Sequence, residues 1–197
     1  MNLPIKFPTL LLASKSPRRK DLLTQLGLKF EIVLQDVVED YPNTLPKNEI
    51  PEYLAIKKAT AVQQHLQEHQ VIVASDTIVL MNDTVYGKPK DAAEAYKILS
   101  ELSGKSHQVI TGVCLMDNYK CVTFADTATV HLAALTTAEI KFYVDNYQPF
   151  DKAGAYAIQE WIGLAKVEKI EGTYNTIVGL PTQKLYKTLV EEFCTHE

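Results

Sequence analysis

The stretch Thr9-Leu10-Leu11-Leu12-Ala13-Ser14-Lys15-Ser16-Pro17-Arg18-Arg19-Lys20 decides the fold class. Its first five residues read as a short, fully buried strand. Ser16 suits a helix N-cap, and Pro17 suits the first helical turn, where its missing N–H costs nothing. Leu22, Leu23 and Leu26 then share one helical face, and Gly27 can close the helix. A buried strand therefore feeds a polar turn and then a helix.

The same alternation continues outward. The pattern predicts strands over 30–34 and 71–75, with an acidic, proline-interrupted loop over 35–50 and a helix from Pro51 to near His69. A hairpin about Asn82-Asp83 is expected next, then a helix from Asp91 to Leu102 ended by Gly104. Long paired strands over 107–116 and 121–132 meet at Asp117-Asn118. A helix over 138–146, extended segments at 156–159 and 164–170, and a helix over 181–193 follow. No internal repeat or linker composition interrupts this order. The expected class is α/β, mixed α+β, with residues 1–197 forming one domain in two lobes.

Composition narrows the partners. The chain has 197 residues, 20 Lys+Arg against 24 Asp+Glu, a net charge of −4 and 46% apolar residues. That length buries a sizeable core without disulfides or a structural metal. The acidic balance argues against long nucleic acid, which needs an extended basic face. Apolar runs are too short to cross a bilayer. The proline-broken start, Met1-Asn2-Leu3-Pro4-Ile5-Lys6-Phe7-Pro8, does not read as a secretory leader. Cys114, Cys121 and Cys194 are odd in number and lack CxxC spacing, so they are expected to be reduced core thiols of a cytoplasmic protein.

Several segments carry chemistry. In Ser14-Lys15-Ser16-Pro17-Arg18-Arg19, free N–H groups at a helix start, two hydroxyls and two guanidiniums make an anion site suited to polyphosphate. The same residues also describe a solvated basic helix start. Ala74-Ser75-Asp76-Thr77 ends an apolar strand in an acid, where α/β sheets place ligands. Gly87-Lys88-Pro89 is a turn that carries a cation, and Asp36, Glu39 and Asp40 offer hard oxygen ligands. Asp151-Lys152-Ala153-Gly154-Ala155-Tyr156-Ala157-Ile158-Gln159 presents a cation, Lys152, and an amide, Gln159, that can pair with a base edge. His65-Leu66-Gln67-Glu68-His69 matches a zinc pattern on one helix face, and reads better as an exposed helix end.

Taken in order, these segments resemble the Maf-like nucleoside triphosphate pyrophosphatases, together with Leu102-Ser103-Gly104 and Asn175-Thr176-Ile177-Val178-Gly179-Leu180-Pro181. The resemblance implies a mixed sheet flanked by helices with a cleft between two lobes. It also implies hydrolysis of a nucleoside triphosphate between its α and β phosphates, assisted by Mg²⁺ or Mn²⁺. By the same resemblance Asp76 is the general base, and Glu39 with Asp76 holds the metal. Ser14, Arg19, Lys58 and Lys88 face phosphate, and Lys152 is a further cation in the cleft. Arg18, Thr77 and Gln159 match the dTTP/UTP subgroup and set base preference. Ala157 and Glu160 stand where the family pattern commonly has glycine, and Glu160 brings a negative charge beside the Gln159 amide. Two alternatives are a pyrophosphatase for a modified purine such as 7-methyl-GTP, and a nucleotide-binding regulator of septum formation without turnover. A homodimer is suggested by family analogy alone.

Overall fold

A computed structural model describes residues 5–194. Residues 1–4, on which the leader reading partly rests, lie outside them. The strands are β1 (Thr9–Leu12), β2 (Phe30–Ile32), β3 (Gln70–Met81), β4 (Thr84–Tyr86), β5 (Ser106–Met116), β6 (Cys121–Leu132) and β7 (Val167–Glu171). The helices are α1 (Pro17–Gln25), α2 (Ile50–Val62), α3 (Ala92–Leu102), α4 (Thr137–Tyr147), α5 (Trp161–Lys166), α6 (Tyr174–Val178) and α7 (Thr182–Glu192). The strands form one mixed seven-stranded sheet in the order β2-β1-β3-β5-β6-β7, with β4 paired to β3 off that path. The class is mixed α/β, as expected.

The chain divides into two compact units. One holds the described residues up to Asp76, Thr111–Asp126 and those from Gly179 onward; the other holds Thr77–Ile110 and Thr127–Val178. In the first unit, β1 lies parallel to β2 (Leu10↔Phe30) and to β3 (Leu10↔Val71). Its core joins Leu11, Ile72 and Cys114 to Ala55, Ala59 and Val62 of α2, where the two alanines let the helix approach the sheet closely. In the second unit, β4 pairs antiparallel with the later part of β3 (Val79↔Tyr86) and β7 with β6 (Thr129↔Glu171). Leu99, Leu102, Val130, Tyr143 and Ile162 fill that unit's core, all fully buried.

Local signals explain most boundaries. Asp91 caps α3 by accepting from the Glu94 N–H at 2.8 Å, and Thr136 and Glu139 form a reciprocal capping box at α4. Asn82 and Asp83, with φ of 49° and 62°, make the primed turn that matches strand twist. Ser16 is the α1 cap residue with Pro17 inside it, yet its side chain makes no capping bond; the Ser16 N–H donates back to Ser14 Oγ at 3.2 Å.

Four expectations need correction. β3 does not stop at residue 75: Ile78-Val79-Leu80 carries the strand on through Asp76 and the β4 pairing, so Asp76 lies mid-strand. α2 ends at Val62, and the chain leaves by a 3₁₀ turn over Gln63–His65. With His69 at φ 61°, His65 and His69 share no helical face, and the zinc spacing loses its geometry. Tyr156 is extended but Ile158 and Gln159 form a turn, and α5 occupies the first part of the 164–170 segment expected to be extended, leaving β7 to begin at Val167. Of the cysteines only Cys114 is buried, while Cys121 is exposed and Cys194 half-buried. Cys114 and Cys121 sulfurs stand 3.3 Å apart as thiols. No helix among the described residues is long and apolar enough to cross a membrane.

Candidate active site

The first unit gathers six of the expected residues: Ser14, Arg18, Arg19, Glu39, Lys58 and Asp76. Ser14 lies in the turn two residues past the end of β1; it is buried and accepts from Arg19 Nη1 at 3.3 Å. Arg19 Nε donates to the Gly179 carbonyl at 2.8 Å, and Ser75 Oγ donates to the same oxygen at 3.3 Å. The strand–turn–helix segment and β3 are thus fastened to one backbone carbonyl far away in sequence. Gly179 has φ of 115°, a conformation that favours glycine. Burial lowers the Arg19 pKa from its ordinary value; the Asp76 and Glu39 charges oppose that shift, and neighbouring Arg18 adds to it. A guanidinium stays charged under such a shift. Arg18 is half-buried on the same first turn.

Lys58 reaches from α2 to two carboxylates. Its ammonium lies 2.5 Å from Asp76 Oδ1 and 2.7 Å from Glu39 Oε1. Asp76 is buried, with 7% of its surface exposed, so its partner largely replaces water. The acidic loop otherwise resolves into separate pairs: Asp36 with Lys15 at 2.6 Å, and Asp40 with Lys57. The hydrogen bonds from these lysines, more than their charge, hold both exposed carboxyls below their ordinary pKa. Such surface pairs contribute little to stability. Only Glu39 of the loop shares a cation with Asp76.

The second unit holds the remaining candidates. Thr77 is its first residue, half-buried on β3 next to Asp76 in the chain. Lys88 is exposed in the turn after β4. The Gly154 N–H donates to the Gly87 carbonyl at 3.1 Å, which draws the Lys88 turn to the 152–155 segment. Gly154 has φ of 70°, and a Cβ there would lie 2.7 Å from Val79 Cγ2, so the close crossing requires glycine. Lys152 is buried and pairs with Asp151 at 2.7 Å and Glu160 at 3.3 Å. Gln159 is exposed at the turn that follows.

The Glu160 carboxylate is engaged by the Lys152 ammonium and by the Tyr143 hydroxyl. The roles of Tyr143, Ser75 and Gly179 were not legible in the motifs. Tyr143 reads as a plain core position of α4, and the positive-φ glycine before Leu180-Pro181 was the one local signal at Gly179.

The donor set suits a hard divalent cation in number and kind. Among the described residues no group of three or more His, Cys, Asp and Glu side chains could hold a metal. Two carboxylates converging on one cation is the protein share Mg²⁺ ordinarily takes, with phosphate oxygens and water completing its shell.

Fold and side chains together define a mixed-sheet α/β protein with an arginine-bearing strand–turn–helix and a carboxylate pair beside it. Residues 9–192 match the family model described as Maf-like protein, and the chain belongs to that family. A dTTP/UTP pyrophosphatase of Bacteroides fragilis is 48% identical over 181 residues, spanning 91% of this chain and 94% of that protein. A dTTP/UTP pyrophosphatase of Christiangramia forsetii is 47% identical over 188 residues, 95% of each. Among solved structures, the Staphylococcus aureus Ham1 protein aligns with a TM-score of 0.46 and 16% identity over 64% of this chain and 72% of that one.

Proposed function

We propose that this protein hydrolyses dTTP and UTP between the α and β phosphates, giving the nucleoside monophosphate and pyrophosphate. The observation that carries the chemistry is the convergence of Asp76 and Glu39 on Lys58, in the unit that also fastens Arg19 to Ser14. The pyrimidine preference is supported by the printed names of relatives nearly half identical to it over nine-tenths of the chain.

In this reading Arg19, Ser14 and the N–H groups opening α1 hold phosphate oxygens, and Lys88 is a further phosphate-facing cation. Asp76 accepts a proton from the attacking water at the α phosphorus. Lys58 orients the Asp76 oxygen and offsets its charge against Glu39. Glu39 and Asp76 would hold Mg²⁺ or Mn²⁺, which when bound neutralises charge on the phosphoryl oxygens. Gln159 reads the base edge by donating and accepting, with Arg18 and Thr77 completing the selection. The physiological role this implies is removal of excess or non-standard nucleotides from the cytoplasmic pool.

The test is pyrophosphate release in Mg²⁺ from dTTP, UTP, CTP, GTP and 7-methyl-GTP side by side. Higher kcat/KM for dTTP and UTP supports the assignment. Preference for a purine overturns it, and binding without release of pyrophosphate turns the reading to a regulator.

A further inference from the structure

The turn that carries Gln159 is tied at both ends to a single phenol. The Glu160 N–H donates to the Ala157 carbonyl at 3.1 Å, which closes a four-residue turn with Ile158 and Gln159 at its centre. The Ala157 N–H donates to the Tyr143 hydroxyl oxygen at 3.1 Å. That hydroxyl in turn donates to Glu160 Oε2. The other Glu160 oxygen meets Lys152 Nζ at 3.3 Å, and Lys152 also meets Asp151 at 2.7 Å. One tyrosine of α4 thus grips the first and last residues of the turn, and Glu160 extends the grip to Lys152.

The surroundings make this grip stiff. Tyr143 is fully buried, and Lys152, Ala157 and Ile158 are each at most 8% exposed. Tyr143 stacks on Tyr147 with ring centroids 4.8 Å apart, so its ring has little freedom. Burial, and secondarily the hydrogen bond to Glu160, pushes the Tyr143 phenol well above its ordinary pKa, so it stays a neutral donor. Gln159 alone in the turn is exposed. A rigid frame with one exposed amide is what selection by hydrogen bonding requires, because a loose amide accommodates any base edge.

We propose that Tyr143 and Glu160 are positioning residues for nucleotide selection. They act by fixing the 157–160 turn, and hence the Gln159 amide and the Lys152 ammonium, in one conformation. The proposal deepens the functional reading above and rests on it for the identity of the nucleotide. It does not rest on it for the existence of the brace.

The experiment compares wild type, Tyr143→Phe, Glu160→Ala and Glu160→Gln in two readouts. The first is amide hydrogen exchange at Ala157 and Gln159 by NMR, which is independent of turnover. The second is kcat and KM for dTTP, UTP, CTP and GTP. Tyr143→Phe and Glu160→Ala should raise the exchange rate at Ala157 and raise KM for the preferred nucleotides by about tenfold, with kcat within about twofold. The ratio of kcat/KM between preferred and rejected nucleotides should fall with them. Glu160→Gln keeps an acceptor for Tyr143 and should restore most of that ratio. A merely structural loss would lower all four nucleotides alike and leave the ratio unchanged, and that result overturns the proposal. Unchanged Ala157 exchange in Tyr143→Phe also overturns it, whatever wild type hydrolyses. A wild type that prefers a purine, with that preference flattened in the variants, sinks the dTTP/UTP reading and keeps the brace.

Discussion

Lys58 donates to Asp76 across 2.5 Å, and the same ammonium meets Glu39 at 2.7 Å. A lysine at the centre of a carboxylate pair does two things at once. It compensates a carboxylate that the fold buries, and it marks the point where a cation is favoured.

Lys58→Met removes the ammonium while keeping much of its length. It leaves Asp76 buried without that cation, so urea unfolding without metal should show a loss on the order of 3 kcal/mol. Mg²⁺ should recover more stability in the variant than in wild type, because the carboxylates then attract the ion without competition. Equal Mg²⁺ effects on both proteins would detach the carboxylate pair from metal.

Arg19→Lys tests the fork. The guanidinium reaches Gly179 and Ser14 with separate nitrogens, and a lysine cannot span both in that geometry. KM for dTTP should rise about tenfold, equivalent to about 1.4 kcal/mol of binding. An unchanged KM would remove Arg19 from the phosphate contacts.

His107 makes the fold sensitive to acid. Its Nε2 pairs with the Tyr156 hydroxyl at 2.7 Å, while its buried Nδ1 has no hydrogen-bond partner among the described residues. Burial, aided by the nearby His131, lowers its pKa from 6.5 to about 4. The unfolded chain therefore binds a proton near pH 6.5 that the native state refuses until about pH 4. Stability from this group is fully present well above pH 6.5 and declines as pH falls toward 4, by about 1.5 kcal/mol between pH 6.5 and 5. Denaturant titrations of His107→Gln should show a shallower decline over that window. A parallel decline would assign the acid sensitivity elsewhere.

Much of this was legible along the chain, and the remainder divides by range. The β1–α1 turn, the Asn82-Asp83 turn and the Asp91 cap are local, written in residues a few positions apart. The order of motifs was enough to reach the family. What escaped is tertiary. A charge such as Asp76 reads as a strand end, because the lysine that lets the strand continue lies on α2. α5 leaves no signal along the chain, because Trp161–Lys166 is too short to show an alternating or helical period. The Arg19–Gly179 and Tyr143–Glu160 contacts join residues that no local pattern relates.

Asp76 is the residue on which the account stands. Pyrophosphate and orthophosphate release from dTTP in Mg²⁺ should be measured for wild type and Asp76→Asn, with near-ultraviolet circular dichroism to verify folding. Wild type should release pyrophosphate and no orthophosphate, and folded Asp76→Asn should lose activity by about a thousandfold. Orthophosphate as the first product, or a folded variant that keeps most of its turnover, would contradict the account.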